Sequence, residues 1–474
     1  MLFATHFNKL ISPCPPEPRS GPGNASRVRP GPGRKWQTGS ARGGVRWRNH
    51  SVRIVTGLLP NSLQRLTRDG WLLFLTRFTR LFAYGSLSVI LVFYLIGLGL
   101  TESEIGMLLT LTLVGDVVVS LYLTTRADRI GRRRMLIVGA ILMASAGLAF
   151  ACTSNLLFLI VAGTIGVISP SGNEVGPFLS IEQAALAHVI SPGTRTQVFA
   201  WYTLAGSLAT AAGALCGGTI AHLLQRTAIT TVGSYRIVVI FYAALGLILA
   251  LFFARLSSAA EVGLPREATA LPATLKDFFG ISRSHHVVVK LSSLFALDAF
   301  AGGFVVQSFA AYWFYLRFGV NPGTLGIIFF WANIFAGISA LLASRLASRI
   351  GLVKTMVATH LPSNVLLILV PLMPSLSLAV LVLLVRFSIS QMDVPTRQSY
   401  TMAVVSSEER SAAAGITGVA RTAGAAISPL FVGFFFARPS LINVPFFIAG
   451  TLKIIYDLML YKEFVATQPP EEMG

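Results

Sequence analysis

The stretch TTRADRIGRR at residues 124–133 lies between two apolar segments, 104–123 and 135–152. A helix of about twenty residues is long enough to cross the hydrocarbon core of a bilayer. Backbone groups inside a bilayer must be hydrogen-bonded internally, which a helix achieves. The stretch therefore predicts a basic connection between two membrane helices.

The same arrangement recurs later in the chain. The stretch SRLASRIG at residues 344–351 repeats the pattern around the first connection. Gly106 and Gly131 are 25 residues apart, and so are Gly326 and Gly351. Repeats in one direction are typical of transporters built from two similar halves. We therefore expect two halves in the same orientation.

Apolar runs continue through most of the chain. Of the 474 residues, 54% are hydrophobic and 12% are charged, and the mean hydropathy is +0.69. This composition excludes an ordinary water-soluble enzyme. We predict an all-α membrane protein with twelve transmembrane helices in two six-helix repeats. The predicted spans are 71–98, 104–123, 135–152, 156–178, 198–223, 237–254, 291–316, 325–343, 355–373, 375–396, 411–436 and 442–461, with the fourth interrupted at residues 169–173.

The positive charge is distributed unevenly. The formal net charge is +19, of which residues 1–70 carry +10 from twelve basic and two acidic residues. With the N-terminus placed inside, seventeen Lys and Arg residues fall in cytoplasmic connections and four in outside loops. Basic residues collect on the cytoplasmic side of membrane proteins. We therefore expect both termini in the cytoplasm and no nucleic-acid partner.

The termini and the central connection divide the chain. Residues 11–50 are rich in Pro, Gly, Arg and Ser, which predicts disorder. They are either a cytoplasmic tail or an organelle transit peptide, so we expect the plasma membrane or, with a transit peptide, an organelle membrane. The predicted domains are a basic tail at 1–70, a six-helix bundle at 71–254, a cytoplasmic linker at 255–290, a second bundle at 291–462 and a C-terminal tail at 463–474.

The stretch at 124–133 resembles the signature loop between helices 2 and 3 of the major facilitator superfamily, with Thr124 at the usual Gly position. The resemblance covers residues 71–462 and implies a transporter that works by alternating access. In that family the loop holds the cytoplasmic side closed, and a carboxylate there accepts charge-assisted hydrogen bonds. Ser348 replaces the Asp in the second copy, so no ionic latch is expected there. The implied gate residues are Asp128, Arg129, Gly131, Arg132 and Arg133.

Helix 5 carries the stretch GALCGG at residues 213–218. It resembles the GPxxGG signature of the family's exporters, with Ala214 at the usual proline. Small residues let membrane helices approach closely, which predicts a packing role for Gly213, Gly217 and Gly218. The motif favours the drug/proton antiporter-like exporters.

Ionisable groups inside the spans are costly and mark a cavity or a structural pair. Arg386 and Arg421 are expected near mid-membrane, where they either bind an anionic substrate or pair with a carboxylate. Four amides, Asn173, Gln307, Asn333 and Asn364, either line the same cavity or form interhelical hydrogen bonds. Proton coupling requires a buried carboxylate that changes partners. The candidates are Glu174, Asp116 and Asp298, with Glu174 first because it follows the break at residues 169–173.

Further charges are expected near the cytoplasmic ends of the helices. Arg77 and Arg80 either reach the interface or meet Asp298, which is the repeat equivalent of Arg77. Arg397 is the repeat equivalent of Glu182, which predicts a contact between the halves. The candidate cytoplasmic ionic latch therefore comprises Arg77, Arg80, Glu182, Asp393 and Arg397.

Two charges in helix 12 are predicted to form a mainly structural pair. Lys453 and Asp457 are four residues apart on one helix, where side chains are neighbours. We therefore expect them to neutralise each other.

The remaining sequence features limit the chemistry. Three cysteines have no paired spacing, and no nucleotide-binding loop, metal-ligand cluster or catalytic triad is evident, so we expect no cofactor, no metal and no enzyme activity. The expected partners are the lipid bilayer, a small-molecule substrate and protons, and the protein is expected to be a monomer. We predict a proton-coupled exporter. The alternatives are an importer or exchanger of organic anions that uses Arg386 and Arg421, or a non-transporting membrane receptor of the same fold.

Overall fold

The computed structural model describes residues 61–64, 66–172, 178–190, 195–257, 284–406 and 409–465. The chain divides into two units, Met1–Leu66 and Thr67–Gly474. In the first unit the described helix is a single turn, Asn61–Gln64. All further statements concern the second unit.

The second unit is helical throughout its described elements. Short 3-10 turns follow α11, at Val370–Leu372, and precede α15, at Pro439–Leu441. The helices are α1 (Arg68–Gly97), α2 (Glu102–Ile130), α3 (Arg132–Cys152), α4 (Leu156–Ile165), α5 (Phe178–Val189), α6 (Arg195–Leu224), α7 (Thr231–Ala254), α8 (His285–Gly303), α9 (Gln307–Phe318), α10 (Pro322–Ile350), α11 (Leu352–Leu369), α12 (Leu376–Ser390), α13 (Asp393–Val404), α14 (Arg410–Phe436) and α15 (Val444–Phe464).

The predicted membrane architecture is confirmed. Among the described residues, eleven helical segments are long and apolar enough to cross a membrane. The fourth predicted span is divided into α4 and α5, and the predicted interruption lies between them. The seventh span is divided into α8 and α9, and the tenth into α12 and α13. Such breaks are tolerated at membrane depth where the backbone is buried in protein or lines a cavity.

The basic stretch at 124–133 is mostly helical, although hydropathy predicted a connection. α2 continues to Ile130 and α3 begins at Arg132, so Gly131 alone separates them. Gly131 has φ +116°, and its repeat equivalent Gly351 has φ +85°. Side chains make this backbone region costly, whereas glycine adopts it freely. Apolar composition ends where a helix leaves the membrane, but the backbone hydrogen bonds continue to the glycine.

The two halves approach each other closely at two related helix crossings. Gly326 of α10 lies against Gly218 of α6, and Gly106 of α2 lies against Gly433 of α14. A Cβ atom at any of these positions would overlap backbone atoms of the opposite helix. Gly106 and Gly326 are repeat equivalents, so the two crossings are equivalent glycine contacts related by the internal repeat.

Glycines also join helices within the first half. A Cβ on Gly213 would overlap the backbone of Phe82, and one on Gly217 would overlap the backbone of Ser86. Both contacts are made with α1. The glycine run of α6 thus faces α1 through Gly213 and Gly217 and faces α10 through Gly218.

The second bundle begins earlier than predicted. α8 starts at His285 rather than at residue 291, so His285 and His286 are exposed in its first turn instead of in the linker. Asp298 therefore lies thirteen residues along α8, or about 20 Å at the rise of an α-helix. The aspartate is thus far from the start of α8 and five residues before its end at Gly303, next to the break between α8 and α9.

Candidate functional site: two buried charge clusters

A buried acid organises the centre of the first half. We call Thr76, Arg80, Glu182 and Tyr202 the N cluster. Glu182 of α5 accepts hydrogen bonds from Arg80 at 2.5 Å, from Tyr202 at 2.6 Å and from Thr76 at 2.9 Å. The side chains of Arg80 and Glu182 are fully buried. Three donors, one of them cationic, offset the cost of removing the carboxylate from water.

The helical repeat of α1 explains how these groups meet. Thr76 and Arg80 are four residues apart and so lie on the same face of α1. Arg77 points to a neighbouring part of the cluster, with its guanidinium carbon 4.3 Å from the ring centroid of Tyr202. Arg80 lies 4.9 Å from the ring centroid of Phe178. Cation–π contacts of this kind hold arginines in places that exclude water.

A larger cluster lies in the second half. We call Asp298, His360, Asn364, Asp393, Arg397, Lys453 and Asp457 the C cluster. Asp298 of α8 accepts from Lys453 of α15 at 2.5 Å and from Arg397 of α13 at 3.1 Å. Arg397 also donates to Asp393 at 3.0 Å. Asp298 is only 4% exposed, so one buried carboxylate connects three helices through ionic hydrogen bonds.

A histidine connects this carboxylate to a second one. His360 Nδ1 lies 2.8 Å from Asp457, and His360 Nε2 lies 3.8 Å from Asp298. Asn364, one turn further along α11, donates to Asp457 at 2.8 Å. His360 therefore connects the carboxylate on α8 with the one on α15 from its place on α11.

The two clusters are related by the internal repeat, with their charges exchanged. Each half pairs its first helix with the second segment of its divided fourth helix. The first half does so through Arg80 and Glu182, and the second through Asp298 and Arg397. Arg397 occupies the repeat position of Glu182, so an acid in one half corresponds to a base in the other.

The ion pairs predicted between halves are formed within halves instead. Arg80 pairs with Glu182 rather than with Asp298, and Arg397 pairs with Asp298 and Asp393 rather than with Glu182. α1 begins at Arg68, so Arg80 lies about 18 Å along it, not close to its end. Charges at such depth must take the nearest well-aligned partners, which belong to the same bundle.

The predicted Lys453–Asp457 pair is also replaced. Lys453 donates to Asp298 on α8, and Asp457 accepts from His360 and Asn364 on α11. The four-residue spacing brings the two side chains to one face of α15. Neighbouring helices, however, supply shorter and better aligned bonds than side chains on the same helix do.

The two predicted mid-membrane arginines each have a guanidinium nitrogen without a hydrogen-bond acceptor in the described structure. Arg386 lies over the ring of Phe387, with 5.1 Å between guanidinium carbon and centroid. Its Nε is buried and has no hydrogen-bond acceptor in the described structure. Arg421 Nη1 lies 3.8 Å from Asp298, beyond hydrogen-bond distance, and also lacks an acceptor among the described residues. The Arg421 side chain is 35% exposed.

The predicted cavity amides form interhelical hydrogen bonds. Gln307 of α9 donates to Ser88 of α1 at 2.8 Å, and Asn333 of α10 donates to Gln307 at 3.0 Å. Ser308 donates to the carbonyl of Pro170, which lies in the break of the fourth span. The bonds of Gln307 to Ser88 and of Ser308 to Pro170 connect the two halves, whereas the Asn333–Gln307 bond lies within the second half. Asn173 lies outside the described residues.

The other predicted residues are only partly described. Asp116 is buried on α2 and accepts from Ser120 at 3.4 Å. Arg133 donates to the carbonyl of Ala254 at 2.5 Å, where it stabilises the C-terminal end of α7. Arg132 begins α3. Glu174 lies outside the described residues, as do the side chains of Asp128 and Arg129.

Sequence reasoning named Asn364 as a cavity amide but did not include Tyr202 and His360 among the site residues. A signal was available for His360, because it lies one turn before Asn364 on an apolar helix. Tyr202 gave no such signal, since a single tyrosine in a membrane helix is common at an interface. Only the packing of α6 on α1 shows that its hydroxyl meets Glu182.

Comparison with known proteins agrees with this architecture. The sequence profile of the Major Facilitator Superfamily matches residues 73–318 and 293–473. The chain is 31% identical over 419 residues to the uncharacterized membrane protein YJR124C of Saccharomyces cerevisiae, an alignment that covers 83% of this chain and 93% of the yeast protein.

Solved structures show the same fold at low sequence identity. The nucleoside transporter NupG superposes with a TM-score of 0.63 at 14% identity, covering 84% of this chain and 99% of NupG. The D-xylose-proton symporter gives 0.62 at 14% identity, covering 83% and 97%. The human organic anion transporter MFSD10 gives 0.57 at 15% identity, covering 85% and 100%. With the profile match and the yeast relative, the twelve-span architecture shows that this chain is a multi-pass membrane protein of the Major Facilitator Superfamily.

Proposed function

We propose that this protein is a proton-coupled secondary transporter that exports a small molecule by alternating access. The observation that carries this proposal is the position of Asp298. One buried carboxylate is bonded to Lys453 and Arg397 and lies 3.8 Å from His360. Ionisable groups at this depth are expensive and typically mark an ion or substrate pathway.

The geometry suggests how protonation is coupled to movement. Asp298 can take a proton only when Lys453 on α15 and Arg397 on α13 move away from it, and the proton then prevents these pairs from re-forming. Charge-assisted hydrogen bonds are about twice as strong as neutral ones, so their loss loosens three helices at once. His360 lies between Asp298 and Asp457 and can pass the proton between them. Asp116 and Glu174 remain further candidates for the proton site.

The halves then rock about their close contacts. The Gly106–Gly433 and Gly218–Gly326 crossings let backbones touch without intervening side chains, which suits a pivot. On the side we assign to the cytoplasm, Asp128, Arg129, Gly131, Arg132 and Arg133 form the gate, and both termini lie there. The N cluster keeps the first half rigid while it rotates.

The glycine run of α6 supports the direction of transport. The glycine run at 213–218 resembles the exporter signature and packs against α1 and α10 as such a motif would. We place the protein in the plasma membrane as a monomer, with the bilayer, a small molecule and protons as partners.

Reconstituted protein tests the coupling directly. Liposomes containing the full chain and an internal pH-sensitive dye are exposed to a panel of nucleosides, sugars and organic acids. We expect at least one compound to drive proton movement in the wild-type protein. Asp298→Asn should abolish that proton movement while substrate exchange without a gradient persists. Glu463→Gln is the matched control, because Glu463 is an exposed acid paired with Lys290.

Two results would overturn the proposal. The first is substrate accumulation that is indifferent to an imposed pH gradient. The second is unchanged proton movement in Asp298→Asn. Measuring substrate uptake in inside-out and in right-side-out vesicles then distinguishes export from import.

A further inference from the structure

The C cluster and its surroundings hold more positive than negative charge. The carboxylates are Asp298, Asp393 and Asp457, and the permanently charged cations are Arg386, Arg397, Arg421 and Lys453. With His360 neutral, four cations face three carboxylates, an excess of one positive charge. An uncompensated charge in a membrane interior is unstable unless an anion or water offsets it.

The carboxylate oxygens are already engaged by other donors. Asp298 bonds Lys453 through one oxygen and Arg397 through the other. Asp457 bonds His360 and Asn364 through its two oxygens. Asp393 bonds Arg397. Arg386 Nε and Arg421 Nη1 have no hydrogen-bond acceptor among the described residues, and Arg421 Nη1 stays 3.8 Å from Asp298. These two arginines therefore have donors available for a further acceptor.

Arg386 and Arg421 both lie well inside membrane spans of the second half. Arg386 is ten residues along α12 and Arg421 eleven residues along α14, each about 15 to 17 Å from the helix start. Arg421 Nη1 lies 3.8 Å from Asp298, and the charges of Asp393 and Asp298 also act on Arg386. A part-exposed arginine halfway through a membrane span faces an aqueous interior rather than lipid.

We propose that Arg386 and Arg421 together bind the negatively charged group of the substrate, and that the substrate is an organic monoanion such as a carboxylate. Two planar guanidinium groups offer forked donors that match the two oxygens of a carboxylate. One bound negative charge also balances the single positive excess. This inference names the substrate class and rests on the proposed transport function.

Binding to the full chain in lipid nanodiscs, measured without any ion gradient, tests this site. The probes are benzoate, phenylacetate and hexanoate, each compared with its neutral amide, and the readout is the dissociation constant from ligand-induced thermal stabilisation. We expect the carboxylates to stabilise the wild-type protein and the amides to have no effect. Arg386→Gln and Arg421→Gln should each weaken carboxylate binding about tenfold to a hundredfold, as expected for a lost ionic hydrogen bond.

Control variants separate this role from a structural one. Arg317→Gln removes an exposed arginine at the end of α9 and should leave binding unchanged. Arg386→Lys keeps the charge but loses the fork, and it should bind carboxylates more weakly than wild type while remaining folded. If the glutamine variants do not fold, the Arg386→Lys variant still shows whether carboxylate binding depends on the fork of Arg386.

The possible outcomes are distinct from those for proton coupling. Failure of every carboxylate to stabilise the wild-type protein, equal effects of acids and amides, or unchanged binding in Arg386→Lys and both glutamine variants would overturn the anion site. Carboxylate binding that depends on both arginines in a protein without proton movement would retain the anion site and reject the coupling.

Discussion

Glu182 provides the most direct test of how the buried charges act, because its partners are few and well defined. We consider Arg80→Leu, Glu182→Leu and the double variant. In Arg80→Leu the buried carboxylate loses its cation and keeps the hydroxyl donors of Thr76 and Tyr202. In Glu182→Leu the buried guanidinium loses its carboxylate. Breaking a buried ion pair from either side costs about 3–5 kcal/mol.

The double variant should be much less damaged than the sum of its parts. It buries no unpaired charge from this pair, and Thr76 still donates to the carbonyl of Leu73 at 2.9 Å. The main residual cost is the unpaired hydroxyl of Tyr202, about 1–3 kcal/mol. The single variants together predict a loss of about 6–10 kcal/mol, so the coupling energy should be at least about 3 kcal/mol.

The free energy of unfolding is measured by titrating SDS into mixed micelles and following tryptophan fluorescence. The control is Lys290→Leu with Glu463→Leu, a pair with the same 2.5 Å separation but with 44% and 41% exposed side chains. Exposed pairs contribute little, so these variants should show almost no coupling. If the losses in the Arg80 and Glu182 variants add to within about 0.5 kcal/mol, the pair is energetically independent and the reasoning is refuted.

Three further outcomes follow from single positions. Gly326→Leu should stop substrate exchange in liposomes while the protein still reaches the membrane, because a side chain there would push α6 away from α10. The control variant Gly415→Ala has open space around its Cβ position and should exchange substrate normally. Gly131→Ala should lower the free energy of unfolding by about 1–2 kcal/mol, since φ +116° strains any L side chain; a stabilised variant would contradict that backbone argument. Asn364→Ala should cost about 1–3 kcal/mol by removing a donor to the buried Asp457, and an SDS titration that matches wild type would show that the bond contributes nothing.

Much of the architecture followed from local sequence patterns. Apolar runs of membrane length predicted the helices, and the spacing of Gly106 and Gly131 against Gly326 and Gly351 predicted two similar halves. These features are readable because bilayer thickness and backbone hydrogen bonding impose them on each segment separately. The helix ends were less predictable, since hydropathy does not record where backbone hydrogen bonds stop.

The partners of the buried charges were decided only by tertiary structure. The sequence identified Arg80, Glu182, Asp298, Arg397 and Lys453 as intramembrane charges, but the predicted pairs between halves and along α15 were replaced by pairs within each bundle. A desolvated charge binds the nearest well-aligned partner, and that partner depends on how helices distant in sequence pack together. The sequence by itself therefore determined which residues carry charge into the membrane. Helix packing decided which of these charges meet, and it placed His360 between Asp298 and Asp457. It also left a guanidinium nitrogen of Arg386 and one of Arg421 without a hydrogen-bond acceptor in the described structure.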